Sequence, residues 1–546
     1  MDEGSKTSKT MNWKKNWVII ALFAILILAF VLRVYHIDYP VVGYHNWKET
    51  HYLTEARNFA ADGFFANGFL IPSWNYPNLQ QNPSGAHTDS LPTISIVVGI
   101  LFELFGTSLT IARLASILFV LGSIFVFYLI VDKLFKRKDL AIIASLLFAI
   151  NPLSIFFGRQ VQLLNPALFF CLLGSYFYIL WRKNDTWKNL ILFAVFLMIG
   201  ILTKYSFVVF AVPILFTFPY KKLKEKVYLG KHLFLASIAL LSYIWLRYSS
   251  SVSQSVGDQF EVVDFSVFTD SGFWMTMNLF VKDNFTTLGL WLFVLGVLAW
   301  FFVVKLNKKS LGYRFMNGYL IGSVLWFIFM GQKLQGHNYH QYPLIPLFVF
   351  FVAFFILAVY GLIRKFLKFN WLKWIVVILV LFLLWSPSME AKDRMFDTQF
   401  VGLDIAGDYL LENKVEEERV MHSSHQAYGL LWHGDIMGTR GIPQTVEDME
   451  YARTELNANW IFIYSWDLGI LSEEERGNYI KENYEVKQMG FNANSEGQIS
   501  PVYFLLKYGG LFSDSIINDA LNSGNTLEKE YEFSRGKSGL YYVNIE

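Results

Sequence analysis

With 16% charged and 54% hydrophobic residues, against about 25% charged in an average soluble protein, the 546-residue chain cannot be a water-soluble globule throughout. Its single cysteine, Cys171, lies in an apolar run and excludes a disulfide framework or a cysteine metal site within one chain. The net charge of +2 says little; the positions of the 46 Lys and Arg residues say more.

Apolar runs able to cross a bilayer core of about 30 Å lie near residues 17–34, 111–131, 140–157, 165–181, 188–205, 206–219, 232–248, 287–304, 316–331, 342–362 and 372–387. The first follows Lys14 and Lys15 but lacks a small-residue cleavage site, so it reads as a retained span behind a cytoplasmic tail, residues 1–16. Basic residues then mark alternate connections. Lys133, Lys136, Arg137 and Lys138 share one, Arg182, Lys183 and Lys188 the next, and Lys221, Lys222, Lys224, Lys226 and Lys231 a third. Lys305, Lys308, Lys309 and Arg314 fill the fourth, and Arg364, Lys365, Lys368 and Lys373 the last. By the positive-inside rule these face the cytoplasm. Leu91–Phe105 would spoil that register as a span; it carries Pro92, Ser95 and Glu103 and reads as an interfacial or re-entrant helix. About eleven spans over residues 17–389 follow, with everything after about Ser388 outside.

The noncytoplasmic parts are unequal. Arg33 to Ser90 is rich in His, Asn, Trp, Tyr and Pro, and about Ser249 to Asn284 is an acidic loop. Residues 390–546 have a soluble composition, with strand-like Trp460–Tyr464, Val502–Leu506 and Leu540–Val543 beside helix-like Thr445–Leu456, which predicts an α/β domain.

Polar groups gathered on one side of a membrane suggest a site. In the first outer loop, Glu49 or Asp89 could take a proton from an attacking hydroxyl or hold a metal ion, or be merely solvated. Arg159, Lys204 and the segment His337, Asn338, Tyr339, His340, Gln341, Tyr342 fall at outer span ends. There they could neutralise a phosphate or, for the cations, snorkel to the headgroups. His337–His340 and His45–His51 invite a zinc reading, but no His-Glu-x-x-His pattern supports it. Gly-rich phosphate loops are absent, and His422, Ser423, Ser424, His425 and His433, Gly434, Asp435 read as loop residues.

Four features together resemble the GT-C superfamily of membrane glycosyltransferases, within the protein O-mannosyltransferase and aminoarabinose-transferase group (family 39 and the RgtA/B/C/D-like domain). They are Gly43-Tyr44-His45-Asn46-Trp47-Lys48 followed by Glu55-Ala56-Arg57-Asn58-Phe59; Asp89-Ser90-Leu91-Pro92 leading to Leu104-Phe105-Gly106; Ala112-Arg113-Leu114; and His337-Asn338-Tyr339-His340-Gln341-Tyr342-Pro343. Residues 15–360 carry the likeness. It implies a GT-C bundle with interfacial helices in the first outer loop. It also implies sugar transfer from a polyprenyl-phosphate donor to a glycan, lipid or protein acceptor on the noncytoplasmic face. Many members open the first-loop helix with Asp-Glu, where this chain has Lys48-Glu49. The resemblance therefore assigns Glu49 as the base, Asp89 as a second carboxylate and His45 as a proton relay. Arg159, Lys204, His337, Tyr339 and His340 become donor-phosphate candidates. No nucleotide and no nucleic acid is expected, membrane lipids surround the bundle, and a divalent metal is left open. The competing readings are a transporter or flippase of lipid-linked glycans, for which the paired repeats are not seen, and a noncatalytic assembly subunit.

Overall fold

The computed structural model describes residues 13–64, 71–72, 86–87, 90–252, 264–303, 307–366, 372–439, 441–493 and 498–545. The first half of the molecule comprises α1 (Trp13–Val34), α2 (Asn46–Asp62), α3 (Thr93–Phe105), α4 (Leu109–Phe135), α5 (Lys138–Ala149), α6 (Pro152–Arg159), α7 (Leu164–Asn184) and α8 (Trp187–Thr203). After them come α9 (Ala211–Thr217), α10 (Leu229–Val252), α11 (Ser271–Asn284), α12 (Thr287–Leu298), α13 (Leu311–Phe329), α14 (Gly331–Gly336), α15 (Ile345–Phe366) and α16 (Leu372–Asp397).

Among the described residues, six stretches are long and apolar enough to cross a membrane, in α1, α4, α7, α10, α15 and α16. The bent pairs α5–α6 and α11–α12 raise this to eight, short of the eleven expected. Local chemistry accounts for the breaks. Pro152 has no N–H to continue α5, and Asn151 accepts from Ser154 N at 3.0 Å to start α6 afresh, turning the axis by 59°. α11 and α12 meet at 93°, so the expected acidic loop near 249–284 in fact ends in a helix. α8 has 17 residues, and the apolar run after it is a 3₁₀ turn leading into α9. α16 continues past Pro387 to Asp397, so residue 390 lies inside a helix rather than at a break.

Arg33 secures the first bend. Fully buried, it donates to Ala29 O of its own helix, to Ser154 O and Oγ in α6 and to Ala149 O, the carbonyl at the end of α5 that the bend exposes. α7 and α8 pack through glycines: a Cβ on Gly200 would stand 2.6 Å from Cys171 Sγ, and one on Gly174 2.8 Å from Leu197 N. α3 has 13 residues, about 20 Å at ~1.5 Å per residue, too short to cross. It lies on α2 instead, where Gly99 faces Ala56 O and Phe59.

After α17 (Leu403–Asn413) comes a mixed sheet of β1 (Arg419–His422), β2 (Met437–Gly438), β3 (Trp460–Tyr464), β4 (Tyr484–Ala493), β5 (Ile499–Tyr508), β6 (Leu527–Phe533) and β7 (Gly536–Asn544). The strand order is β2-β1-β3-β5-β4-β7-β6; β1 pairs in parallel with β2 and β3, and the rest is antiparallel. Strand periodicity divides β3 between two cores. Trp460, Phe462 and Tyr464 face one, Ile461 and Ile463 the other. The first core also takes in Val42 and Trp47 from the segment between α1 and α3, so the sheet's interior is completed by residues of the membrane half.

Polar contacts hold that junction. Asn46 Nδ2 donates to Gln426 O at 2.8 Å and its Oδ1 accepts from Gly429 N at 3.0 Å. Arg57 pairs with Asp435 at 2.7 Å, and Phe400 N donates to Val42 O at 2.7 Å. A Cβ on Gly429 would stand 2.0 Å from Val41 O, which is backbone and cannot swing away. Gly429→Ala is therefore expected to destabilise the junction by roughly 1–3 kcal/mol, read as a lowered thermal midpoint of the detergent-solubilised protein. An unchanged midpoint would show that the two halves do not depend on this contact.

Candidate functional site

Two polar clusters form around α2, and the first is closed. Glu49, 2% exposed, receives Arg113 Nε and Nη2 at 2.9 Å each, one to each carboxylate oxygen, and Val161 N at 3.1 Å. Arg113 Nη1 reaches back to the carbonyls of Ile37 and Tyr39. Arg159 donates to the carbonyls of Tyr35 and His36 at 3.0 Å and lies over the Phe396 ring. Glu49, Arg113 and Arg159 line a void of about 10 Å³, room for about one water. Burial alone would raise the Glu49 pKa; the Arg113 guanidinium outweighs it and holds the carboxyl below its ordinary range. A carboxylate so held stays ionised and is a weak base, and this geometry does not favour the expected role of Glu49 as proton acceptor. Arg159 is likewise engaged here with backbone, away from its expected companions. Arg113 is the partner that the sequence reading missed. Its signal was a guanidinium in the first turns of the apolar helix α4, where a charge needs a partner.

The second cluster is open. His45 sits in the left-handed region (φ 58°) just ahead of α2, and its Nδ1 accepts from Trp47 Nε1 at 3.3 Å. The ring proton is thereby assigned to Nε2, which is buried near the Asn338 side chain without closing a hydrogen bond to it. Its ring centroid lies 5.1 Å from His337 and 5.0 Å from Tyr339; His337 and Tyr339 stack at 5.1 Å and 11°. Lys204, immediately after α8, sets its ammonium 5.2 Å from the Tyr339 ring centre, and the His340 ring lies 4.6 Å from the same ring. Burial, with the charges of Lys48, His425 and Lys204, pushes the His337 pKa down to about 4. Burial and His337 keep His45 well below its ordinary value. At neutral pH the imidazoles are therefore neutral and the lysines carry the positive charge. The expected donor-phosphate residues Lys204, His337, Tyr339 and His340 come together, with His45 added. Asp89 lies outside the described residues.

Buried amides place the His337 segment. Asn284, at the bend between α11 and α12, donates from Nδ2 to Asn338 O at 3.0 Å and Gln341 Oε1 at 2.9 Å. Its Oδ1 accepts from Asn338 Nδ2 at 3.2 Å, and its carbonyl from Asn151 Nδ2 at the other bend at 3.0 Å. Lys204 is fixed from a different direction: Leu91 N donates to Leu202 O at 2.8 Å and the hydroxyls of Thr93 and Thr203 bond at 2.5 Å.

A cavity of about 690 Å³ opens between the two halves, with Trp47 and His337 on one wall and Ser424, His425, Gln444, Trp466 and Asp467 on the other. Ser424 and His425, read from sequence as loop residues, thus line it. His433 and Asp435 instead hold the halves together, accepting from Val41 N and pairing with Arg57. Among the described residues no three His, Cys, Asp or Glu side chains are grouped to hold a metal ion.

Two measurements check these clusters. Arg113→Met leaves the Glu49 charge buried and alone, at an expected cost of about 3–5 kcal/mol; adding Glu49→Gln should recover much of it. Strictly additive losses in thermal unfolding would contradict the pairing. His337, His422 and His433 all have folded pKa values of about 4, below the unfolded histidine value near ~6.5. The unfolded chain then binds protons first, so stability is full above about pH 6.5 and is lost as the pH falls toward about 4. A midpoint constant across that window would contradict the burial of these rings.

The description "Dolichyl-phosphate-mannose-protein mannosyltransferase" belongs to the family model that matches residues 87–248. No curated protein sequence matches the chain. Among solved structures, ArnT from Cupriavidus metallidurans in the apo state is 12% identical with a TM-score of 0.58, covering 90% of this chain and 98% of that one. The same protein bound to undecaprenyl phosphate gives 14% and 0.55 over the same shares. The Archaeoglobus fulgidus oligosaccharyltransferase in the apo form is 12% identical with a TM-score of 0.53, covering 90% of this chain and 75% of that one. The chain is thus a multi-pass membrane protein that shares the fold of these two glycosyl-transfer proteins, with residues 87–248 matching the mannosyltransferase model.

Proposed function

We propose that the chain transfers a sugar from a polyprenyl-phosphate-linked donor to an acceptor hydroxyl on the noncytoplasmic face of a cell membrane. The observation that carries this reading is the convergence of Lys204, His337, His340 and the unpartnered His45 Nε2–H around Tyr339, beside a cavity open to the sheet domain. The family model's description and the undecaprenyl phosphate bound to the ArnT neighbour support it. The topology proposed with it keeps the N terminus cytoplasmic and residues 390–546 outside, with the eleven hydropathic segments as crossings. The short helices and bent pairs are then incomplete or tilted spans.

In the reaction, the acceptor oxygen bonds to the anomeric carbon as the bond from that carbon to the phosphate oxygen breaks, and the electron pair leaves with the phosphate. A phosphodiester of charge −1 becomes a monoester of about −1.5 to −2 at neutral pH. Positive charge and N–H donors already in place favour the product-like charge over the starting one, which is electrostatic catalysis. Lys204 and Lys48 supply the charge, and His45 and His337 supply neutral donors. Asp89, the second carboxylate that the resemblance implies, is proposed to take the acceptor's proton. Glu49 is proposed as a positioning residue that holds α2 through Arg113.

The test uses the purified protein in lipid with polyprenyl-phosphate sugars and a panel of glycan, lipid and peptide acceptors. Lys204→Ala is expected to lower the transfer rate roughly 10²–10³-fold, and Asp89→Asn to abolish transfer while donor binding persists. Glu49→Gln should lower the thermal midpoint together with activity. Lipid translocation without sugar transfer across the panel would overturn the reading in favour of a flippase.

A further inference from the structure

We infer that the cavity between the two halves is the acceptor subsite and that it takes a neutral carbohydrate chain, an assignment that rests on the transferase reading above. Its position comes first. Trp47 and His337 form one wall, and His337 belongs to the cluster assigned to the donor phosphate, so a molecule in the cavity abuts the donor. Its size of about 690 Å³ lies within the ~300–1,000 Å³ of small-molecule sites. That accommodates the end of a glycan rather than a folded protein surface.

The chemistry of the far wall selects the ligand class. Trp466 is 42% exposed and backed by Tyr464 and Phe400, with ring centroids at 4.3 and 5.6 Å. A fixed indole face of this kind suits the flat C–H face of a pyranose ring, and the backing means little order is lost when a ring stacks on it. Asp467, Gln444 and Ser424 flank it with acceptor, amide and hydroxyl groups, the set that reads sugar hydroxyls. Charge argues against an anionic acceptor on this wall. Among the described lining residues the one guanidinium, Arg476, is committed to both oxygens of Glu473 at 2.7 and 2.6 Å and to Pro443 O, and Asp467 adds a second carboxylate. An extended peptide would be held by backbone pairing along a strand edge; the wall offers the 3₁₀ turn Ser465–Ser472 and the loop near Gly441 instead. Ser424 adds a further sign of a built site, since its φ of 39° is one of the few left-handed values outside glycine.

The experiment uses the full chain in lipid nanodiscs and saturation-transfer NMR. The probes are a panel of neutral oligosaccharides of mannose, glucose, galactose and rhamnose, a Ser/Thr-rich peptide and a polyprenyl phosphate. At least one oligosaccharide is expected to bind, with affinity falling tenfold or more in Trp466→Ala and several-fold in Asp467→Ala. Neither substitution should change polyprenyl phosphate binding. The assignment is overturned if no oligosaccharide binds, if binding is indifferent to Trp466→Ala, or if the peptide binds in a Trp466-dependent way. Polyprenyl phosphate that binds while every glycan fails would sink only this subsite. Failure of the polyprenyl phosphate itself would sink the transferase reading.

Discussion

Three asparagines and a glutamine join the two bent helices to the segment that carries His337. A helix interrupted inside a membrane exposes backbone groups that lipid cannot satisfy, so the break is tolerable only where protein supplies the partners. Asn151 and Asn284 sit at the two bends and bond across them, and Asn284 passes the connection on to Asn338 and Gln341. Arg33 performs the same service for the Ala149 carbonyl at the end of α5. Because these contacts are buried and tie both bends to Asn338 and Gln341, the His337–His340 stretch is delivered to one place.

That placement separates two kinds of charge. Inside, Glu49 and Arg113 cancel each other and anchor the start of α2 to α4. Around Tyr339, Lys204 stands near neutral imidazoles, with Nε2 of His45 left without a hydrogen bond. The first arrangement gives a rigid frame, and its members are poorly suited to exchange protons. The second gives donors and positive charge in a site with space beside it, which is what a leaving phosphate requires.

Much of this was legible from the residues. The apolar runs, a helix at Leu91–Phe105 too short to cross, and the strands at Trp460–Tyr464 and near Val502 follow from hydropathy and period; of the residues grouped by motif order, Lys204, His337 and His340 meet around Tyr339 while Arg159 lies with Glu49. Bent spans were harder, because hydropathy averages over a break; the only local cue at 151–152 was an Asn-Pro step that also suits an ordinary turn. Glu49 was read as a base because a one-dimensional motif shows the acid but not the guanidinium 64 residues later that neutralises it. The share of the sheet domain in the cavity was equally hidden, since Trp466 and Trp47 lie more than four hundred positions apart and are brought to one cavity by junction contacts such as Asn46 on Gly429.

The central claim is that the Lys204–His337 cluster receives the lipid phosphate while the Glu49–Arg113 pair stays closed. A cryo-electron microscopy structure of the protein with a bound polyprenyl phosphate tests it most directly. The phosphate density is expected within hydrogen-bonding distance of Lys204 and His45 Nε2, with Glu49 still held by Arg113. A phosphate seated on Arg113 or Arg159, with that pair opened, would contradict the claim.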